Sequence, residues 1–444
     1  MATMLDILPL ELVIEIFRVC SDAHTDSDNN WTTSTEAPLL LTHICRSWRA
    51  VALSAPILWT KFHIRCFSSA HTSLAQLWLP RSGKSPIDIA IVGNLSFPTA
   101  NHFLSTIVDH ASRIRKLRLG FDFTDFGLLD VQAATFPELE ELYLELRIRI
   151  REYGPDDIPE VVRSFGGAMN LRTLGVSYLP VSAFSTPFSR LTRLVASGYD
   201  LNRVMDALVH LPNLTHFELS ESYLDLYDDV QPPSSEPLLH NTLRSLKLDL
   251  EMEMMQALLK LLTLPSLDAL YISGLELLPL AFYSFLGRSD PPLKKLYLNP
   301  KSVDKAQEVP FFRMRPLNTL EEVALILPTQ AGFIDFCDDL ASDHSFLPEI
   351  RTLEFTFSPF YSSRGVDSII TRVALARLAS AVDQRIATGT PWSLRSLSIG
   401  TKPNFMWPQA SQAREILLGD AELAAPFRRL QARGVEVIVD GRLY

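Results

Sequence analysis

The chain has 444 residues, of which 47% are hydrophobic and 21% charged, enough apolar mass for a sizeable core and for two or three domains. Its net charge of −10 argues against a nucleic-acid backbone as the main ligand, because such binding rests on Lys and Arg neutralising phosphates. The first residues lack the basic start and unbroken apolar stretch of a secretion signal, and no run reaches the ~20 apolar residues of a membrane helix, so no membrane partner is expected. Cys20, Cys45, Cys66 and Cys337 form no C-x-x-C pair, which predicts neither a zinc site nor a disulfide framework and fits a cytoplasmic or nuclear setting.

Leu8-Pro9-Leu10-Glu11 predicts a helix start. Pro9 suits a first helical position that needs no amide hydrogen, and Glu11 meets the positive end of the helix dipole. Leu12, Val13, Ile16, Phe17 and Cys20 then recur at three- and four-residue steps, one apolar face of a helix. A polar, acidic loop is expected over Ser21 to Glu36. A second helix is expected from near Pro38, carrying Leu40, Leu41, Ile44, Cys45, Trp48, Val51 and Ala52, and Pro56 then punctuates the chain before Ile57, Leu58 and Trp59. A unit of about 45 residues is too small to bury that apolar load within itself. Each large side chain left exposed forgoes roughly 1.5–3 kcal/mol of burial, so the surplus meets either a foreign partner or later parts of this chain.

The series Leu8-Pro9-Leu10-Glu11, Ile16-Phe17, Leu39-Leu40-Leu41, Ile44-Cys45-Arg46-Ser47-Trp48-Arg49, Ala52 and Leu58-Trp59 resembles an F-box. Ala37 to Trp59 is especially similar to the F-box-like proteins of mushroom-forming fungi. The resemblance covers Leu5 to Ile64. It implies a three-helix module docking on the Skp adaptor of a Skp–cullin–F-box ubiquitin ligase, and through it on cullin and RING subunits. Carried over residue by residue, the docking surface would use Leu8, Pro9, Leu12, Ile16, Leu40, Ile44, Cys45, Trp48, Leu58 and Trp59. The loop from Ser21 to Glu36 is longer than the family's usual link.

Residues 65–113 read as a bridging, atypical first repeat, with Leu74 to Leu79 helical and Pro86 to Ile91 alternating like a strand. A short motif then recurs: apolar, two residues, apolar, one residue, apolar. It stands at Ile114-Leu117-Leu119, Leu139-Leu142-Leu144, Leu171-Leu174-Val176, Leu191-Leu194-Ala196, Leu214-Phe217-Leu219 and Leu243-Leu246-Leu248. It continues at Leu267-Leu270-Ile272, Leu293-Leu296-Leu298, Leu320-Val323-Leu325, Ile350-Leu353-Phe355 and Leu394-Leu397-Ile399. Each motif ends in strand-like alternation. Between motifs lie helix-like runs at Val204 to Leu211, Met252 to Leu262 and Ile369 to Val382, and Val435-Val437-Val439 reads as a terminal strand. One strand and one helix cannot bury their apolar faces alone, whereas stacked neighbours can. The recurrence resembles leucine-rich-repeat proteins, nearest at Leu293-Lys294-Lys295-Leu296-Tyr297-Leu298-Asn299, though most repeats here lack the Asn. The expected fold is an α+β or α/β repeat: an F-box over 5–64, then an irregular solenoid over 114–444 with parallel strands on its concave face and helices outside.

Residues between the repeat leucines point to the face opposite the core. Among them Lys247, Tyr271 and Tyr297 fall in successive repeats and are the candidate patch for a protein substrate, since tyrosines on rigid strands are favoured interface anchors. The polar segment Tyr227 to Glu236 is a competing recognition site. Gly83-Lys84-Ser85 lacks the earlier Gly of a phosphate-binding loop, because Trp78 stands there. No G-x-S-x-G or H-E-x-x-H occurs. The chain therefore reads as a non-catalytic adaptor without a cofactor.

Overall fold

A computed structural model describes residues 8–22, 35–64, 69–95, 99–122, 135–147, 162, 165, 167–184, 188–220, 237–273, 279–299, 317–327, 330–343, 345–357, 372–387, 392–401 and 412–443. It is an α/β protein with mostly parallel strands. It falls into two compact units, one built on the described residues up to Tyr199 with Arg203–Leu214, the other on Asp200–Asn202 and the described residues from Thr215 onward.

The first unit opens with the helix Leu10–Asp22. The expected second helix is split: a single turn, Leu41–Ile44, and the helix Arg46–Ser54 are separated by Cys45 in extended conformation. In place of a third helix stands one 3-10 turn, Pro56–Trp59. The strand β1 follows at once (Lys61–Ile64) and pairs in parallel with β2 (Ile87–Leu95). Strand pairing thus begins inside the stretch assigned by sequence to the N-terminal module. The leucine motif missed it because Phe62, Ile64, Ile87, Ile89 and Ile91 fill the buried slots instead. β3 (Ile114–Asp122), β4 (Glu141–Arg147), β5 (Thr173–Ser177) and β6 (Arg193–Ser197) continue the parallel ladder. Helices Ser69–Arg81 and Thr99–Val108 lie among the early strands. Leu201–His210 is amphipathic, burying Leu201, Val204, Ala207 and Leu208.

The second unit runs through β7 (His216–Ser220), β8 (Leu238–Leu239), β9 (Ser245–Asp249), β10 (Leu262–Thr263), β11 (Ala269–Ser273), β12 (Lys295–Asn299), β13 (Glu322–Leu327), β14 (Thr352–Phe357), β15 (Ser396–Thr401), β16 (Glu436–Val439) and β17 (Arg442–Leu443). β7, β9, β11, β12, β13, β14, β15 and β16 pair side by side in parallel; β8 and β10 form a separate parallel pair, and β17 turns back antiparallel on β16. The intervening helices are Met252–Leu261, Pro279–Ser289, Gln330–Ser342, Arg372–Ala387, Gln412–Gly419 and Ala421–Ala432.

Three local devices set this geometry. A tight turn precedes most strands: the amides of Leu139, Leu171, Leu214, Leu267, Leu320 and Ile350 each donate to the carbonyl three residues earlier. This turn holds the motif's first leucine under the strand. One carbonyl just before each of β7, β9, β11, β12, β13 and β14 then accepts two amides from the next repeat. Asp268 accepts from Lys294 and Lys295 at 2.8 and 2.9 Å, Lys294 from Glu321 and Glu322, and Glu321 from Arg351 and Thr352. The register is therefore locked by backbone alone. Lastly, an arginine late in one helix, or just after it, spans the end of the previous helix, where carbonyls lack intrahelical donors. Arg113 donates to Leu79 O, Arg288 to Leu259 O and Leu262 O, and Arg385 to Asp343 O and Phe346 O, at 2.5–2.7 Å.

Candidate docking surfaces

The apolar surplus of the N-terminal segment divides in two. Val13 and Phe17 are buried, and Phe17 meets Trp48 with ring centroids 4.9 Å apart, which joins the first helix to Arg46–Ser54. Leu12, Ile16 and Val19 form the adjoining stripe of the same helix, at helical spacing, and stay exposed at 51%, 37% and 55%. Leu40, Ile44 and Ile57 are exposed as well. The opposite polar side carries a Glu15–Arg18 ion pair at 2.6 Å.

Of the other residues expected on the adaptor-docking surface, Pro9 and Cys45 are exposed and Leu8 and Trp48 half-buried. Cys45 caps the helix Arg46–Ser54: its Sγ accepts the Trp48 amide at 3.5 Å, and that hydrogen bond holds the thiol below its ordinary pKa. Leu58 and Trp59 need correction. Both are internal, with Trp59 wholly buried. Its Nε1 donates to Ala52 O at 2.8 Å, its ring meets the edge of Trp78 at 4.7 Å, and the Arg81 guanidinium lies 4.8 Å over it. They belong to this chain's own core because β1 and the helix Ser69–Arg81 follow closely enough to cover them. Leu10, Val19 and Ile57 are exposed apolar residues outside the expected docking surface, although the 12–16–19 spacing carried the signal for Val19.

The second surface is the face of the second unit that points away from the buried leucines. Register sets Glu218, Lys247, Tyr271, Tyr297, Ala324 and Glu354 in one row across β7, β9, β11, β12, β13 and β14. Their strand neighbours Leu246, Leu248, Leu270, Ile272, Leu296 and Leu298 are buried, as alternation requires. Lys247, Tyr271 and Tyr297 are thus brought together. Lys247 Nζ is held by Glu218 at 2.5 Å, and the two tyrosine rings lie 6.2 Å apart at 37°. Partial burial, then the nearby carboxylates of Glu354 and Asp249, raise the Tyr297 hydroxyl above its ordinary pKa. Lys295 is likewise neutralised, by Glu322 at 2.9 Å.

In the first unit the equivalent face places Arg118 beside Tyr143 and Gly175. Arg118 is bound by Glu145 at 2.5 Å and lies 5.8 Å over the Tyr143 ring. Gly175 makes room for that ring, since a Cβ there would sit 2.1 Å from Tyr143 Cδ1. The polar segment Tyr227 to Glu236 lies outside the described residues.

Among the described residues no group of three or more His, Cys, Asp or Glu side chains is placed to hold a metal ion, and no helix is long and apolar enough to cross a membrane. No protein-family model and no curated protein matches this chain.

Proposed function

We propose that this protein is the substrate-recognition subunit of a Skp–cullin–F-box ubiquitin ligase, with an F-box-like segment at its N-terminus and a leucine-rich-repeat array behind it. The Skp adaptor takes the N-terminal segment, and a protein target takes the repeat face. One observation carries the reading. Leu12, Ile16, Val19, Leu40, Ile44 and Ile57 are large apolar side chains left exposed within a span of fewer than fifty residues. So many open apolar side chains in so short a segment support docking by another protein, because each gains from being covered. Four of them, Leu12, Ile16, Leu40 and Ile44, are docking residues that the F-box resemblance implies. The chain itself is non-catalytic: it speeds ubiquitin transfer by holding the target near chemistry that other subunits perform.

The test is co-expression of the full chain with a Skp adaptor and a cullin, followed by purification on a tag carried by this chain. A stoichiometric adaptor that elutes with it is the expected result. An adaptor that fails to co-elute refutes the reading.

The burial of Leu58 and Trp59 favours a second reading, a repeat-built binding protein whose F-box-like segment recruits no ligase. Both residues belong to the docking surface that the resemblance implies, yet both are consumed by the chain's own core.

A further inference from the structure

The row through Tyr271 and Tyr297 has a definite electrostatic character. Glu218, Asp249, Glu322 and Glu354 stand on this face of the second unit against Lys247 and Lys295. Both lysines are spent on ion pairs, with Glu218 and Glu322. What remains is Asp249, which has no hydrogen-bond or ion-pair partner among the described residues, and Glu354, which receives a 3.5 Å hydrogen bond from Thr356 of its own strand. Both carboxylates are exposed, and they flank the tyrosine pair on either side: Asp249 on β9, Glu354 on β14.

From this arrangement we infer that the face binds an arginine-bearing segment of a partner protein, laid across the strands. The outer arginines pair with Asp249 and Glu354, and a middle one stacks on Tyr271 and Tyr297. This inference rests on the target-binding reading of the repeat face given above.

The chemistry fits a guanidinium better than an ammonium. Arginine offers a planar fork to a carboxylate and a flat face to a tyrosine ring, whereas lysine offers a point charge. Spacing narrows the ligand further. Tyr297 lies two strands from Asp249 and two from Glu354, or about 10 Å across the sheet on each side at ~4.8 Å per strand; Glu354 is in register with it, whereas Asp249 stands two residues further along, opposite Ser273, so the segment crosses the strands obliquely. A polyproline II segment rises ~3.1 Å per residue with three residues per turn, so it repeats one side about every 9 Å. Arginine at every third position therefore matches the face. A β-extended chain would turn every other arginine away.

The probe is a fluorescein-labelled peptide, Arg-Pro-Pro-Arg-Pro-Pro-Arg, titrated against the full chain by fluorescence anisotropy. Comparison peptides replace Arg by Lys, replace Arg by Glu, or move the arginines to every second position. Saturable binding of the first peptide is expected, at least fivefold tighter than the lysine form, with none for the glutamate form. Asp249→Asn with Glu354→Gln is expected to weaken it about tenfold. The control pair Glu415→Gln with Glu422→Gln, exposed carboxylates on helices of the same unit, should leave it within twofold. Tyr271→Ala with Tyr297→Ala should erase the preference for Arg over Lys. Equal binding of all cationic peptides, or equal loss in both carboxylate pairs, would show a diffuse attraction to an acidic protein and overturn the proposal. None of these readouts involves the Skp adaptor, so an adaptor that fails to co-elute leaves this result standing, and the converse holds.

Discussion

Replacing Leu12 and Ile44 by Ser separates a docking surface from a stray apolar patch. Each side chain is 51% exposed in the free chain. Full burial of a Leu or Ile contributes roughly 1.5–3 kcal/mol, so a partner covering the open half gains about 0.8–1.5 kcal/mol from each. The pair together is worth about 1.5–3 kcal/mol, or roughly 10- to 150-fold in Kd at 1.4 kcal/mol per decade. The half already covered by this chain contributes to its own stability, so the double variant should also unfold at a lower temperature. Binding is therefore measured by isothermal titration with a purified Skp adaptor, well below the unfolding midpoint found by circular dichroism. Val373 and Leu418 are exposed at 62% and 65% on helices of the second unit and supply the control pair. Their replacement by Ser should leave adaptor affinity within twofold. Leu12→Ser with Ile44→Ser leaving Kd within twofold of the parent would refute the argument, as would an equal loss in the control pair.

Three further outcomes follow from the packing. Arg385→Met removes both hydrogen bonds to Asp343 O and Phe346 O and strands the buried Phe346 carbonyl, at a cost of roughly 2–3 kcal/mol in denaturant unfolding; Arg385→Lys should not restore it, because one ammonium lacks the fork that serves two carbonyls. Hydrogen exchange should quicken first at the end of the helix Gln330–Ser342. Gly198 has φ +66°, and a Cβ there would meet the Tyr178 ring at 2.3 Å, so Gly198→Ala should destabilise by about 1–2 kcal/mol from backbone strain alone, before the clash, as read by the thermal midpoint. Iodoacetamide at neutral pH should modify Cys45 well before Cys337, followed by mass spectrometry: the Cys45 thiol is exposed and held low by the Trp48 amide, whereas burial pushes that of Cys337 up.

The strands were legible because their signal is chemical and periodic. Leu246-Leu248, Leu270-Ile272 and Leu296-Leu298 fill inward slots that tolerate only apolar side chains, and they recur at each turn of the repeat. The same periodicity sets Lys247, Tyr271 and Tyr297 in successive repeats, and the strand register pairs them. β1 escaped the leucine motif because Phe62 and Ile64 satisfy those slots equally well, whereas the alternation of Pro86 to Ile91 marked β2 as a strand without it. The N-terminal helix was ambiguous for a different reason. Leu12-Ile16-Val19 and Val13-Phe17 are adjoining apolar stripes, so the sequence marks an apolar face without saying which half turns inward. Leu58 and Trp59 look no different in sequence from Ile44, and only the return of the helix Ser69–Arg81 across them puts them inside. The arginine staples were invisible, since Arg113, Arg288 and Arg385 read as ordinary surface cations until successive helix ends are seen to be neighbours.

On the proposed reading, that division sets where a target is recognised. Shared carbonyls at Arg244, Asp268, Lys294, Glu321 and Arg351 fix the register of each strand through backbone alone. The inward slots are held to apolar residues by close packing, where a large-to-small change costs about 2–5 kcal/mol. Neither constraint reaches the outward slot at each strand's centre. There the chain carries Glu218, Lys247, Tyr271, Tyr297, Ala324 and Glu354 in succession, with no common size, charge or polarity. A position that the fold leaves free to vary, on a scaffold whose spacing it fixes, is where a ligand's own chemistry can be matched residue by residue. The Asp249 and Glu354 carboxylates on either side of two tyrosines are such a match, for a cation with a flat face.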